Sequence, residues 1–222
     1  MLTVAYRFLC VVRLIESLVG DWWMNIRTSG AVHLGPKRGL GQDADDYQTS
    51  LHVAIKKVIR LVRPGEKDVV FDVGCGKGRV ICHFAQQPVR KVVGIEISEH
   101  LCDIARLNVS KLRNKRAPVE IINGDAAVTD LSSGTIYYMN NPFGATTLRA
   151  VLKNIERSHK QVTNGVTIIY MNAQFAAVFD EFPWLEIVAD YRRFCRQRVT
   201  IYRDTAMRKQ VVVKSHELAD QE

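Results

Sequence analysis

Val69-Val70-Phe71-Asp72-Val73-Gly74-Cys75-Gly76-Lys77-Gly78-Arg79 is the stretch on which the reading of the chain turns. An apolar run of strand length ends in an acid, passes through G-x-G-x-G and leads into a helical pattern from about Gly78 to Gln86. Glycines are needed where the backbone must bend tightly and approach a ligand without a Cβ in the way. A dinucleotide fingerprint would read G-x-G-x-x-G. Here the third glycine falls one residue early, and Asp72 stands just before the turn. A carboxylate there repels a pyrophosphate and suits a ligand that carries an ammonium group.

Outward from this turn the chain alternates. Strands are expected at Val92–Glu96, Val119–Ile122, Ile136–Met139 and Val166–Met171. Helices are expected at Ser98 to about Arg113 and at Thr147–Ser158. Such alternation implies a mostly parallel sheet with helices on both faces. Two last apolar runs, near Leu185–Ala189 and Val199–Tyr202, leave no room for a helix and read as an antiparallel hairpin that closes a seven-stranded sheet. Upstream, a helix from about Ser50 to Val62 ends at Arg63-Pro64-Gly65.

Three further strand ends carry candidate chemistry. Val92–Glu96 ends in a carboxylate 24 residues after Asp72, placed to accept both hydroxyls of a ribose. Asp125 follows Ile121-Ile122-Asn123-Gly124, where an acid bonds an exocyclic amine or simply solvates a turn. Tyr137-Tyr138-Met139-Asn140-Asn141-Pro142-Phe143-Gly144 follows the fourth strand. Its amide oxygens and rigid proline carbonyl suit an amino substrate, and a plain Asn-Pro turn capped by a core Phe is the alternative.

Together these residues resemble the class I S-adenosylmethionine (SAM)-dependent methyltransferases, over about Leu51 to Arg203. The resemblance implies a Rossmann-like α/β fold and SAM as the methyl donor. It assigns cofactor contacts to Asp72, Gly74, Cys75, Gly76, Gly78, Glu96, Ile97, Asp125, Ala126 and Asn141. Asn140, Asn141, Pro142 and Phe143 would align the acceptor. That loop is similar to the (D/N)-P-P-(Y/F) motif of amine methyltransferases, with Asn141 where the first proline is expected. An amine of a protein or small molecule is therefore favoured over a nucleic-acid base. RNA or DNA methylation, a non-catalytic SAM-binding scaffold and a nicotinamide oxidoreductase are the rivals, the last disfavoured by the glycine spacing. Ile26–Gly30 and Tyr47-Gln48-Thr49 look like the lead-in of small bacterial methyltransferases, lying across the cofactor.

Length and composition fit this picture. The chain has 222 residues, 47% hydrophobic and 24% charged, which excludes disorder and low-complexity classes. Its +8 charge favours nucleic acid, anionic lipid or an acidic ligand as a partner. Basic residues cluster at Arg106, Lys111, Arg113, Lys115 and Arg116, and again at Arg192, Arg193, Arg196 and Arg198, and read as a solvated helix end and hairpin or as a phosphate-facing surface. Five cysteines without a CxxC and scattered histidines support reduced thiols and no metal site. Cys75 reads as a small filler of the glycine turn, and His83 and His100 as helix-surface residues.

Residues 1–49 form an expected appendage, 50–205 the methyltransferase domain and 206–222 a polar tail. Leu2 to Trp23 reads as an amphipathic helix whose apolar face holds Val4, Phe8, Val11, Val12, Ile15, Val19 and Trp22. The loop 25–46 follows. With only Arg7 and Arg13 beside that face, and Glu16 opposing anionic lipid, packing on the domain itself as a lid is expected. Contact with a second copy of the chain and peripheral membrane association through residues 1–23 are the alternatives. A cytoplasmic location is expected.

Overall fold

A computed structural model describes residues 2–30, 49–159, 165–192 and 198–205. Tyr47-Gln48, Arg193, Cys195, Arg196 and the tail 206–222 lie outside them, as do the side chains of Val4, Arg7, Phe8 and Arg192. The elements run α1 (Leu2–Met24), α2 (His52–Val62), β1 (Val69–Val73), α3 (Arg79–Ala85), β2 (Lys91–Glu96), α4 (Glu99–Lys111), β3 (Val119–Asn123), β4 (Ile136–Met139), α5 (Ala145–His159), β5 (Thr167–Met171), a short 3-10 helix (Ala176–Glu181), β6 (Leu185–Arg192) and β7 (Arg198–Asp204).

The seven strands form one sheet in the order β3-β2-β1-β4-β5-β7-β6. β1 to β5 are parallel, and β7 lies antiparallel between β5 and β6. This is the Rossmann-like arrangement expected from the alternation, with its closing hairpin. Every residue of β1 and β5 is buried, as strands covered on both faces require. One face carries α2, α3 and α4 over Val70, Val92, Ile136 and Ile169. The other carries α5 and the 3-10 helix over Phe71, Val93, Tyr137 and Ile168. Chain order reverses between β1 and β4, and open parallel sheets bind ligands at such a switch point.

Local sequence explains where the helices begin and end. Ser98 caps α4, its hydroxyl accepting the Leu101 amide at 3.4 Å. Arg63 ends α2 in a left-handed conformation, φ 53°, ahead of Pro64. β6 outruns the expected Leu185–Ala189, because a bulge between Ile187 and Ala189 lets pairing continue to Arg192.

Two expectations are corrected. The described part of the apolar face of α1 does not pack on the domain: Val11, Ile15, Val19 and Trp22 are each more than half exposed. Ser17, Asp21 and Met24 are buried instead. The polar side faces inward because its groups find partners there. Asp21 accepts from the Thr28 amide and hydroxyl at 2.7 and 2.6 Å and from the Ser29 amide and hydroxyl, both at 2.9 Å. Gly20 permits this approach, since a side chain there would collide with the His52 ring. His83 is the second correction. It is buried, with its Nε2 2.8 Å from His52 Nδ1, because α2 and α1 cover the face of α3 that carries it. His100 is exposed as expected.

Candidate active site

The glycine turn is built by hydrogen bonds that leave its amides crowded at the end of β1. The Gly74 and Cys75 amides both donate to the Ile95 carbonyl, at 2.9 and 3.0 Å, which ties the turn to β2. The Gly76 amide donates to Glu96 Oε2 at 2.9 Å, while Glu96 Oε1 accepts the Ser98 amide at 2.9 Å. Glu96 is thus held by the turn that it faces. Gly74 (φ 76°) and Gly78 (φ 82°) need their freedom twice over. A Cβ at Gly74 would collide with the Pro142 ring, and one at Gly78 would lie 3.1 Å from the Ala105 Cβ.

Asp72 lies on β1 opposite Gly94 of β2 and Tyr138 of β4. It is 3% exposed, and its Oδ2 has no hydrogen-bond partner among the described residues. Burial, then the nearby Glu96 charge, pushes its carboxyl well above the ordinary value of 3.8, opposed by the Ile81 amide. A small cleft brings Asp72, Gly74 and Cys75 together with Ser50, Tyr138 and Asn140. A buried carboxylate with one unpartnered oxygen beside a glycine turn fits a cationic ligand, and SAM carries an ammonium and a sulfonium.

The expected site residues divide by place. Asp72, Gly74, Cys75, Gly76, Gly78, Glu96 and Ile97 gather where β1 and β2 end. Cys75 is buried, with its thiol pushed well up by burial and by Asp72 and Glu96, in keeping with a filler rather than a nucleophile. Asp125 and Ala126 stand past β3. Asp125 Oδ1 accepts the Ala127 amide at 2.8 Å in a local turn, and Ala126 is buried.

The Asn140–Phe143 turn meets the glycine turn through Pro142. Asn140 Oδ1 accepts from Asn172 Nδ2 at 2.6 Å, and Asn141 Oδ1 accepts from the Tyr170 hydroxyl at 2.8 Å. Asn141 itself adopts φ 47°. Phe143 is buried in the core beneath α5, in the manner of a core residue that caps the turn.

Several residues here had no assigned role. Ser50 Oγ lies 2.7 Å from the Tyr138 hydroxyl at the cleft wall. Asn172 supports Asn140 from the neighbouring strand. A signal for it existed, because β4 and β5 run into the same Tyr-Met-Asn triplet, Tyr138–Asn140 and Tyr170–Asn172. Arg79 bonds Thr28 Oγ1 at 2.6 Å and the Ser50 carbonyl at 3.0 Å, and pairs with Asp21 at 3.3 Å. Lys77 donates to the Ser29 and Gly30 carbonyls, both at 3.0 Å. Ile26–Gly30 therefore braces the start of α3. No local sequence signal pairs residues 50 positions apart.

Residues 70–164 match the family described as "Methyltransferase domain". A protein-lysine N-methyltransferase of Saccharolobus islandicus is 27% identical over 124 residues, covering 55% of this chain and 73% of the relative. An rRNA adenine N-6-methyltransferase of Lysinibacillus sphaericus is 31% identical over 87 residues, 38% of this chain and 32% of that one. Among solved structures, an RNA methyltransferase from Salinibacter ruber in complex with S-adenosyl-L-homocysteine superposes with a TM-score of 0.55 at 19% identity, covering 71% of this chain and 94% of that one. A SAM-dependent methyltransferase from Aquifex aeolicus gives 0.54 at 13% identity, covering 68% and 89%. At these identities the two structures speak for the fold.

Proposed function

Because the chain belongs to the class I SAM-dependent methyltransferases, we propose that its acceptor is an amine nitrogen, and that a protein lysine side chain supplies it. The observation that carries this reading is the backbone of the Asn140–Phe143 turn. Position 141 has φ 47°, a conformation closed to proline, whose ring holds φ near −65°. A (D/N)-P-P-(Y/F) turn has its first proline there. The turn is therefore a different one, in which Asn141 is pinned by Tyr170 and Asn140 by Asn172. The protein-lysine relative, aligned over 73% of its own length, supports the same acceptor.

In this reading Asp72 takes the ammonium of SAM, the Gly74–Gly78 turn its methionyl part and Glu96 its ribose. Asp125 takes the adenine edge. Bound SAM supplies a methyl carbon already activated by the sulfonium. The protein's own work is alignment and exclusion of water. In this reading a carboxamide oxygen of the Asn140–Phe143 turn would accept an N–H of the acceptor and so orient the nitrogen lone pair. Pro142, seated against Gly74, sets the distance between the acceptor turn and the methionyl turn.

RNA is the second reading. The exposed run Arg113, Lys115 and Arg116 and the rRNA adenine relative favour it. The test is transfer of labelled methyl from SAM into fractionated host protein, RNA, DNA, lipid and small molecules. Label is expected in protein, recovered as methyllysine after hydrolysis. Asn141→Ala should depress turnover at saturating acceptor while SAM affinity stays within roughly a few-fold. Label confined to RNA reverses the choice, and bound SAM with no label in any fraction marks a scaffold.

A further inference from the structure

The outward side of α1 carries Leu14, Ile15, Leu18, Val19, Trp22 and Trp23, each more than half exposed and the two tryptophans 69% and 65%. At 1.5 Å per residue, this stripe runs on the order of 14 Å along the helix. Exposed apolar patches of that kind mark interaction surfaces.

Its charge setting names the partner. The only acids between Cys10 and Met24 are Glu16 and Asp21. Both are turned inward: Asp21 is buried among its partners, and Glu16 Oε1 accepts the Val53 amide at 2.8 Å while its Oε2 is buried. The outward stripe therefore carries no negative charge. At its tryptophan end, a cleft is lined by Trp23, Lys56, Lys115 and Arg116, cations with no ion-pair partner among the described residues. Arg113 fastens this basic loop to the helix, donating to the Trp22 and Trp23 carbonyls at 3.4 and 3.2 Å.

We propose that the outward face of α1, together with the basic cleft at its end, docks the protein on an anionic membrane surface. Aliphatic residues and indoles beside lysine and arginine suit the boundary between headgroup and acyl chain. Each basic residue adds attraction to an anionic leaflet. A parallel pairing of two copies would bring two basic clefts together, and RNA bases stacked on Trp22 and Trp23 would leave Leu14, Ile15, Leu18 and Val19 in water, whereas a membrane interface covers all six. The inference stands apart from the choice of methyl acceptor.

The test is flotation of the full chain with phosphatidylcholine vesicles, alone or with about 30% phosphatidylglycerol, at low and high salt. Flotation is expected with anionic vesicles, roughly tenfold weaker with neutral ones, and weakened by salt. The fluorescence of Trp22 and Trp23 should shift to the blue on binding. Leu18→Asp with Trp22→Ser should cut binding at least about tenfold and leave thermal melting and SAM binding unchanged, because both side chains face solvent. Lys115→Glu with Arg116→Glu should remove the preference for anionic vesicles. Failure to float, or flotation untouched by the first pair, overturns the proposal. So does a concentration-dependent dimer that Leu18→Asp abolishes without any vesicle binding. RNA binding without vesicle binding overturns it too, as does flotation seen only after removal of residues 206–222, which would mean that the chain covers its own stripe.

Discussion

Asp72 carries an electrostatic cost that a cationic ligand would relieve. Its carboxyl is buried, stands near the Glu96 charge and keeps one oxygen without a partner among the described residues. Its folded value lies above the ordinary 3.8, so the folded protein alone holds the proton over a window that begins there and extends upward. An ammonium beside it favours the ionised form and expels that proton. SAM should therefore bind more tightly as pH rises through the Asp72 titration, with proton release visible by calorimetry in buffers of different ionisation enthalpy. A flat pH profile together with no proton release would remove Asp72 from the amino-group side. Glu96 and Asp125 were readable as acids at strand tips. That Glu96 also holds the Gly76 amide was not, because the bond spans the turn between two strands.

Among the described residues of α1, Ser17 and Asp21 make the buried side polar, with Met24 at its end. Burial by itself raises the Asp21 carboxyl, but hydrogen bonds from His52 and Thr28 and the Arg79 charge outweigh it and hold the group well below the usual carboxylate range. Burial lowers the His83 imidazole well below 6.5, helped by the neighbouring His52. Both shifts act on the acid side. Below about 6.5 the unfolded chain protonates His83 while the folded chain does not, so stability falls with falling pH. Asp21 adds a further loss below 3.8, as pH falls toward its depressed folded value. Asp21→Ala should cost about 3–5 kcal/mol in denaturant unfolding, because it strands the buried Arg79 guanidinium. It should also flatten the loss of stability at the most acid pH. A cost below about 1 kcal/mol would show that α1 is a detachable appendage. Helical periodicity located α1 but chose the wrong face for the interior. A hydrophobic pattern registers apolar side chains and is blind to a polar side whose every partner lies elsewhere in the chain.

For the molecule as a whole, the glycine turn, Glu96 and the Asn140–Phe143 turn meet at the switch between the two halves of the sheet, so a ligand there ties both halves together. SAM at about 100 times its dissociation constant should raise unfolding stability by about 2.7 kcal/mol, read as a rise in melting temperature. Glu96→Ala should weaken SAM binding by roughly 1.5–3 kcal/mol, and the shift should shrink with it. An unchanged affinity in a folded Glu96→Ala protein would remove the ribose assignment. The sequence by itself determined the alternation of strands and helices, the parallel sheet with its closing hairpin and the glycine turn behind Asp72. Those features are local: apolar runs of strand length, glycines at positive φ and acids at strand tips are each written in a few consecutive residues. Only the tertiary structure decided that Ile26–Gly30 braces Arg79 and Lys77, that His83 is buried, that Asn141 leans on Tyr170 and that α1 turns its apolar stripe to solvent. Each rests on at least one pair far apart in the chain, from 29 residues for Asn141 with Tyr170 to 62 for Ser17 with Arg79, although Asp21 also bonds Thr28 and Ser29 only 7 and 8 residues on. Such pairings are set by packing and by the requirement that buried polar groups be satisfied, which no short stretch of chain can express.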